Sequence, residues 1–117
     1  MHKILVINPG STSMEVSLFA EETELRSARI VHPVEELRRF DRVLDQFPYR
    51  SGIVKSQLAE WGVKEGDLTA VIGRSALRGK ETGVYEVSPQ MVDDIRTGRV
   101  GIEHAAILGC LIAAEIA

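Results

Sequence analysis

One cysteine, Cys110, occurs in 117 residues. That excludes an internal disulfide and any cysteine cluster for zinc, and it fits a reducing cytosol. Basic residues are not in excess either. The formal charge of −3 leaves no basic patch of the kind that nonspecific nucleic-acid binding needs. Long hydrophobic runs are missing: the stretch AAILGCLIAAEIA at 105–117 is apolar but short and carries Glu115, so it suits a buried helix and not a membrane span. No small-residue cleavage site follows the apolar start MHKILVINPG, which therefore does not read as a signal peptide. Repeats and low-complexity segments are absent. No H-x-x-x-H pattern or Asp/Glu pair suggests a metal site built from protein ligands alone. The 44% hydrophobic and 26% charged content is that of a globular protein. The length corresponds to one domain or part of one, able to bury roughly two thirds of its unfolded surface.

The patterning divides the chain into strands and then helices. KILVI at 3–7 is a continuous branched run, as in a central strand. After a Gly/Ser/Thr turn, Met14, Val16 and Leu18 alternate with Glu15, Ser17 and Phe19, which predicts a second strand. ELRSARIV at 24–31 predicts a third, giving an antiparallel meander. Val34, Leu37, Phe40, Val43, Leu44 and Phe47 then recur at helical spacing, and another helix is predicted from Ser51 to Trp61, ending at Gly62. LTAVIG at 68–73 reads as a buried strand. SPQMVDDIRTG has Ser88 as N-cap and Pro89 at the first helical position. The final helix is expected from about Glu103, and its all-round apolar surface predicts partners on several sides. The class is α/β with a mixed sheet.

Three features can carry chemistry. The turn containing Asn8, Gly10, Ser11, Thr12 and Ser13 has the small, hydroxyl-rich make-up of a concave backbone donor site for anions. The same residues also make ordinary hairpins. It is not a Walker loop, because G-x-x-x-x-G-K is absent and a strand follows. Arg74 stands just past an apolar strand, where charged groups commonly face a cleft, although a solvated loop arginine fits equally. His104 stands by the start of the last helix, as an acid/base group or as a plain cap. His2 and His32 have no partners at ligand spacing. From the residues alone, the chain is an α/β domain with a candidate anion site.

A resemblance adds to this. ILVINPGSTSMEVSLF resembles the opening of the butyrate kinases, I-L-x-I-N-P-G-S-T-S-T-K. DQFPYR is similar to their D-Q-x-x-x-R, AVIGRSAL to A-V-V-G-R-G-G-L, GVYEV to G-T-Y-x-V, and GIEHAAILGCLIAAEIA to G-x-E-H-A-S-N-L-G-x-x-I-A. These are acetokinase-type members of the sugar kinase, heat-shock protein 70 and actin superfamily. The resemblance implies an actin-like ATPase (ribonuclease H-like) lobe and ATP-dependent phosphorylation of a short-chain carboxylate with Mg²⁺. It also implies roles. Asn8, Gly10, Ser11, Thr12 and Ser13 would line the phosphate side, Arg74 would bind the carboxylate or the transferred phosphoryl group, and His104 would hydrogen-bond it in the transition state. No metal ligand is assigned in this chain.

The family's members are much longer, with two lobes around the nucleotide. Residues 1–117 are therefore expected to be an N-terminal lobe without its second lobe, cytoplasmic, and partnered by a second-lobe polypeptide or by another copy. Binding of ATP to this chain alone is expected to be negligible. The family lysine after the turn is Glu15 here, placed by strand alternation on the face of Ser11 and Ser13. A cation-to-anion swap ~4 Å from a phosphate is worth roughly several kcal/mol at an effective dielectric near 20. Ser75 and Ala76 replace a glycine pair, and Ile107 replaces an asparagine. These departures favour the rival reading, an inactive fragment or a binding or assembly module that keeps the fold.

Overall fold

The computed structural model describes residues 2–74, 86–97 and 105–117. β1 (Lys3–Pro9), β2 (Ser13–Ala20) and β3 (Thr23–Val31) form the meander, and β4 (Ala70–Gly73) lies against β1 in the order β3-β2-β1-β4. β4 runs parallel to β1 while the other pairs are antiparallel, so the sheet is mixed. Each meander strand is slightly longer than its apolar pattern, because ladder bonds extend into the polar residues beside the turns.

One face of the sheet is the core. Leu5 and Ile7 of β1 and Met14, Val16 and Leu18 of β2 are buried on it. The opposite face, with Val6, Asn8, Ser17 and Ile72, is half-buried to exposed. Strand alternation produces this two-sidedness directly. After the meander come α1 (Val34–Leu37), which buries no residue, and α2 (Phe47–Glu60), α3 (Pro89–Arg96) and α4 (Leu108–Ile116), which contribute to the core.

The apolar pattern at 34–47 is not one helix. α1 lasts four residues, and a tighter turn at Val43–Gln46 leads into α2. Asp45 Oδ2 accepts the Arg42 N–H at 3.2 Å and restarts the winding. Pro48 has no N–H to donate, so it fits the first turn of a helix and fixes where α2 begins. Val43, Leu44 and Phe47 still pack on the core. The spacing was met without a continuous helix.

The caps behave as their residues predict. Gly62 takes φ +72°, its N–H reaching the Ala59 carbonyl at 3.0 Å and that of Val63 the Leu58 carbonyl at 2.9 Å, which is a Schellman close to α2. Ser88 Oγ accepts the Met91 N–H at 3.2 Å at the start of α3.

A tight turn at Ala105–Ile107 precedes α4. The surface of α4 is covered within the chain: Leu108, Cys110, Leu111, Ile112 and Ile116 are all buried. The outside partners expected for this helix are therefore not required by its packing. α4 crosses β4 at two glycines. A Cβ on Gly73 would overlap the Gly109 carbonyl, and one on Gly109 would overlap the Arg74 carbonyl. No helix among the described residues is long and apolar enough to cross a membrane.

Candidate functional site

The β1–β2 turn is closed by the Gly10 N–H donating to the Ser13 carbonyl at 2.7 Å. Three successive carbonyls of the turn are occupied by donors from the protein. Ser11 O accepts from Arg50 Nη2 at 2.9 Å and Ser13 O from Arg50 Nη1 at 3.3 Å. Between them, Thr12 O accepts the His32 N–H at 2.8 Å. The peptides are trans, so the C=O and the following N–H of each unit point in opposite directions. Drawing the Ser11 and Thr12 carbonyls onto these donors turns the Thr12 and Ser13 N–H groups away from them, in a turn where Ser11 and Thr12 are exposed. Such a turn can bind an anion through backbone and hydroxyl donors.

Arg50 is 0% exposed, and its Nε donates to Gln46 Oε1 one helical turn earlier, at 2.9 Å. Burial, the larger effect, pulls its guanidinium below the usual arginine range, while Tyr49 opposes that shift. The ring of His32 is buried, stands edge-on to Tyr49 with centroids 5.5 Å apart, and has no hydrogen-bond partner at either nitrogen among the described residues. Burial first, and the nearby Arg50 cation second, hold it down to about 4. The ring is neutral at physiological pH.

Arg74 comes to the same end of the sheet. Its N–H donates to the Ile7 carbonyl at 2.9 Å, one residue beyond the Ile7–Gly73 pairing, which sets it beside Asn8 at the exit of β1. Its side chain is exposed. The Gly73–Gly109 crossing brings the start of α4 beneath this strand end. Asn8 is half-buried on the open face of the sheet. His104, Ser75 and Ala76 lie outside the described residues. Ile107 is a core residue at 3% exposure, so its side chain faces no ligand.

Glu15 is exposed and shares the open face with Ser13, standing opposite Asn8 on β1 and Arg29 on β3. Ser11 precedes the strand, so the alternation argument reaches Ser13 and not Ser11. Among the described residues, no group of three His, Cys, Asp or Glu could hold a metal ion.

Sequence reasoning touches Gln46 and Arg50 only within the DQFPYR resemblance, sets His32 aside, and gives none of the three a role. A signal for Arg50 was present: it lies four residues before Val54 and eight before Leu58, on the stripe of α2 that faces the core. A cation on an apolar stripe calls for an acceptor, and the turn supplies two.

Comparison with known proteins finds 36% identity over the whole chain to butyrate kinase 1 of Clostridium acetobutylicum, of which the match covers 33%. The chain is also 39% identical over its whole length to probable butyrate kinase 2 of Caldanaerobacter subterraneus subsp. tengcongensis, again covering 33% of that protein. A probable butyrate kinase of Clostridium botulinum matches 98% of the chain at 36% identity, over 32% of its own length. The chain thus spans about a third of the length of the curated relatives it matches. No family model matches it.

Proposed function

We propose, from the homology of this chain to the butyrate kinases along its whole length, that it is the phosphate-side lobe of a butyrate kinase-like carboxylate kinase. The reaction is transfer of the ATP γ-phosphoryl group to butyrate or another short carboxylate. A carboxylate oxygen bonds to the γ-phosphorus as the bond to the β-γ bridging oxygen breaks, giving acyl phosphate and ADP. Such transfer depends on positioning and charge neutralisation more than on covalent help from protein groups.

The observation that carries the reading is the turn itself, with its carbonyls held by Arg50 and His32 and two N–H groups turned away. Asn8, Gly10, Ser11, Thr12 and Ser13 hold phosphate oxygens in this reading. Arg74, at the neighbouring strand end, binds the carboxylate or the phosphoryl group in flight, and His104 hydrogen-bonds the same group. The donor set suits the anionic part of a nucleotide. Among the described residues it offers no Mg²⁺ cage, so a Mg²⁺ accompanying ATP would be held chiefly by the nucleotide and would supply charge neutralisation. The adenosine contacts belong to the second lobe of such a kinase.

Trapping of acyl phosphate as the hydroxamate tests this, using the chain alone and mixed with the remaining two thirds of a butyrate kinase relative. Product in the mixture and none from the chain alone is expected. Micromolar affinity of the isolated chain for Mg-ATP, read by calorimetry, would overturn the division between lobes. A second reading, a non-catalytic module that keeps the fold, is favoured by the exposed carboxylate of Glu15 on the face of Ser13. It stands if the mixture is inactive although the two parts associate.

A further inference from the structure

Arg50 is a buried cation with no anion beside it among the described residues. It donates to two main-chain carbonyls and an amide oxygen, and no carboxylate among the described residues accepts from it. A buried charge is costly unless it is paired, and a guanidinium in a core normally meets a carboxylate. Holding two carbonyls does not by itself require a charge, because a neutral amide can donate to both. The fork of arginine does add something that a lysine cannot, two donors in fixed geometry. What the charge adds is a field. It acts within a few ångströms of the turn, in surroundings that screen it little.

We infer that Arg50 is the positioning residue of this turn and the buried counter-charge of a phosphate or pyrophosphate group bound on its outer side. The inference rests on the phosphate reading above and adds a residue to it. The guanidinium fixes the Ser11 and Ser13 carbonyls, and through the planar peptide it orients the Thr12 N–H outward. Among the described residues, no carboxylate faces Arg50: its neighbours are Gln46 from the turn before α2, Tyr49 from α2, and the His32 ring from the end of β3. Nothing among them cancels its charge, so the charge remains available to an anion across the turn. Arg50 does not touch that anion. It acts through the backbone it grips.

The test is a titration of the 117-residue chain with pyrophosphate, followed by the amide resonances of Thr12 and Ser13, in the wild type, Arg50→Met and Arg50→Lys. In the wild type these two amides should shift most, with an affinity that falls as salt is added. Arg50→Met should lose at least about tenfold in affinity per folded molecule, with a shallower salt dependence. Arg50→Lys keeps a charge but not the fork, and should bind more weakly than wild type with a smaller shift at Thr12. A purely structural role would lower the folded fraction and leave the affinity of folded molecules unchanged. Binding by folded Arg50→Met within about twofold of wild type would overturn the role of Arg50 and leave the phosphate reading standing. Should Arg50→Met fail to fold, wild-type affinity and shifts in Arg50→Lys would do the same. A wild type whose turn amides do not respond at high millimolar pyrophosphate would overturn both.

Discussion

The meander has two hairpin turns, and different things hold them. The β2–β3 turn, Glu21–Glu22, is exposed and secured by its immediate surroundings: the Glu21 N–H donates to the His2 carbonyl at 2.9 Å, and Glu21 Oε1 accepts the His2 N–H at 2.8 Å. It tolerates Glu21 at φ +53°, a left-handed conformation that costs a non-glycine residue about 1–2 kcal/mol. The β1–β2 turn avoids that strain and is gripped by Arg50 of α2, 37 and 39 residues away, as well as by the backbone of His32. A connection needs neither a buried charge nor a remote helix. A turn whose peptide planes must face one way needs both.

Acid should separate the two turns most. His32 is held at about 4 against an ordinary value of 6.5. Its folded pKa is depressed, so the unfolded chain binds the extra proton between these values. The stability is therefore complete above about pH 6.5 and lost as pH falls towards 4. The loss amounts to about 3 kcal/mol from this residue. Denaturant unfolding at pH 7 and pH 4 should show a smaller acid loss in His32→Phe than in wild type. An equal loss in the two proteins would mean that the ring beside the first turn is not the titrating group.

Arg50→Met comes next. It leaves the Ser11 carbonyl and Gln46 Oε1 without this donor, at a cost of about 2 kcal/mol in unfolding free energy at neutral pH. A loss below about 0.5 kcal/mol would make the two turns equivalent. Glu15→Lys should strengthen pyrophosphate binding by about 1 kcal/mol at low salt, an effect modest because Glu15 is exposed and two strand residues beyond Ser13. Added salt should shrink the gain, and equal affinities at low salt would show that Glu15 does not weaken the loop. The smallest effect is expected at the other turn. Glu21→Gly should change stability by less than about 1 kcal/mol, relief of strain being offset by the entropy of glycine. It should leave anion binding unchanged, and altered binding would show that the two turns are coupled.

Much of the fold was legible in the residues, because strand alternation and cap chemistry are local. Ser88 and Gly62 did as their types predict. The segment 34–47 was misread because spacing of three to four marks which side is buried and says nothing about whether the winding is continuous. There Pro48 and Asp45 decided the outcome. The turn was visible as a site through Gly10, Ser11, Thr12 and Ser13, but its supports were not. Arg50 reaches it from 37 and 39 residues away, a distance that no local pattern spans. Arg74 was placed beside the turn by the parallel register of β1 and β4, which follows from topology and not from composition.

The crossing of Gly73 and Gly109 bears on how this chain can change over generations. Every other encoded residue carries a Cβ, so any amino-acid substitution at either position drives an atom into a backbone carbonyl. No one-step variant is free of that overlap, and shifting the helix to make room would disturb Leu111 and Ile112 in the core. Selection for folding alone would therefore keep both glycines, whether or not any phosphoryl group is ever transferred. In a lineage drifting away from catalysis, this pair should be among the last features to go, while the exposed side chains of Thr12 and Arg74 should be among the first.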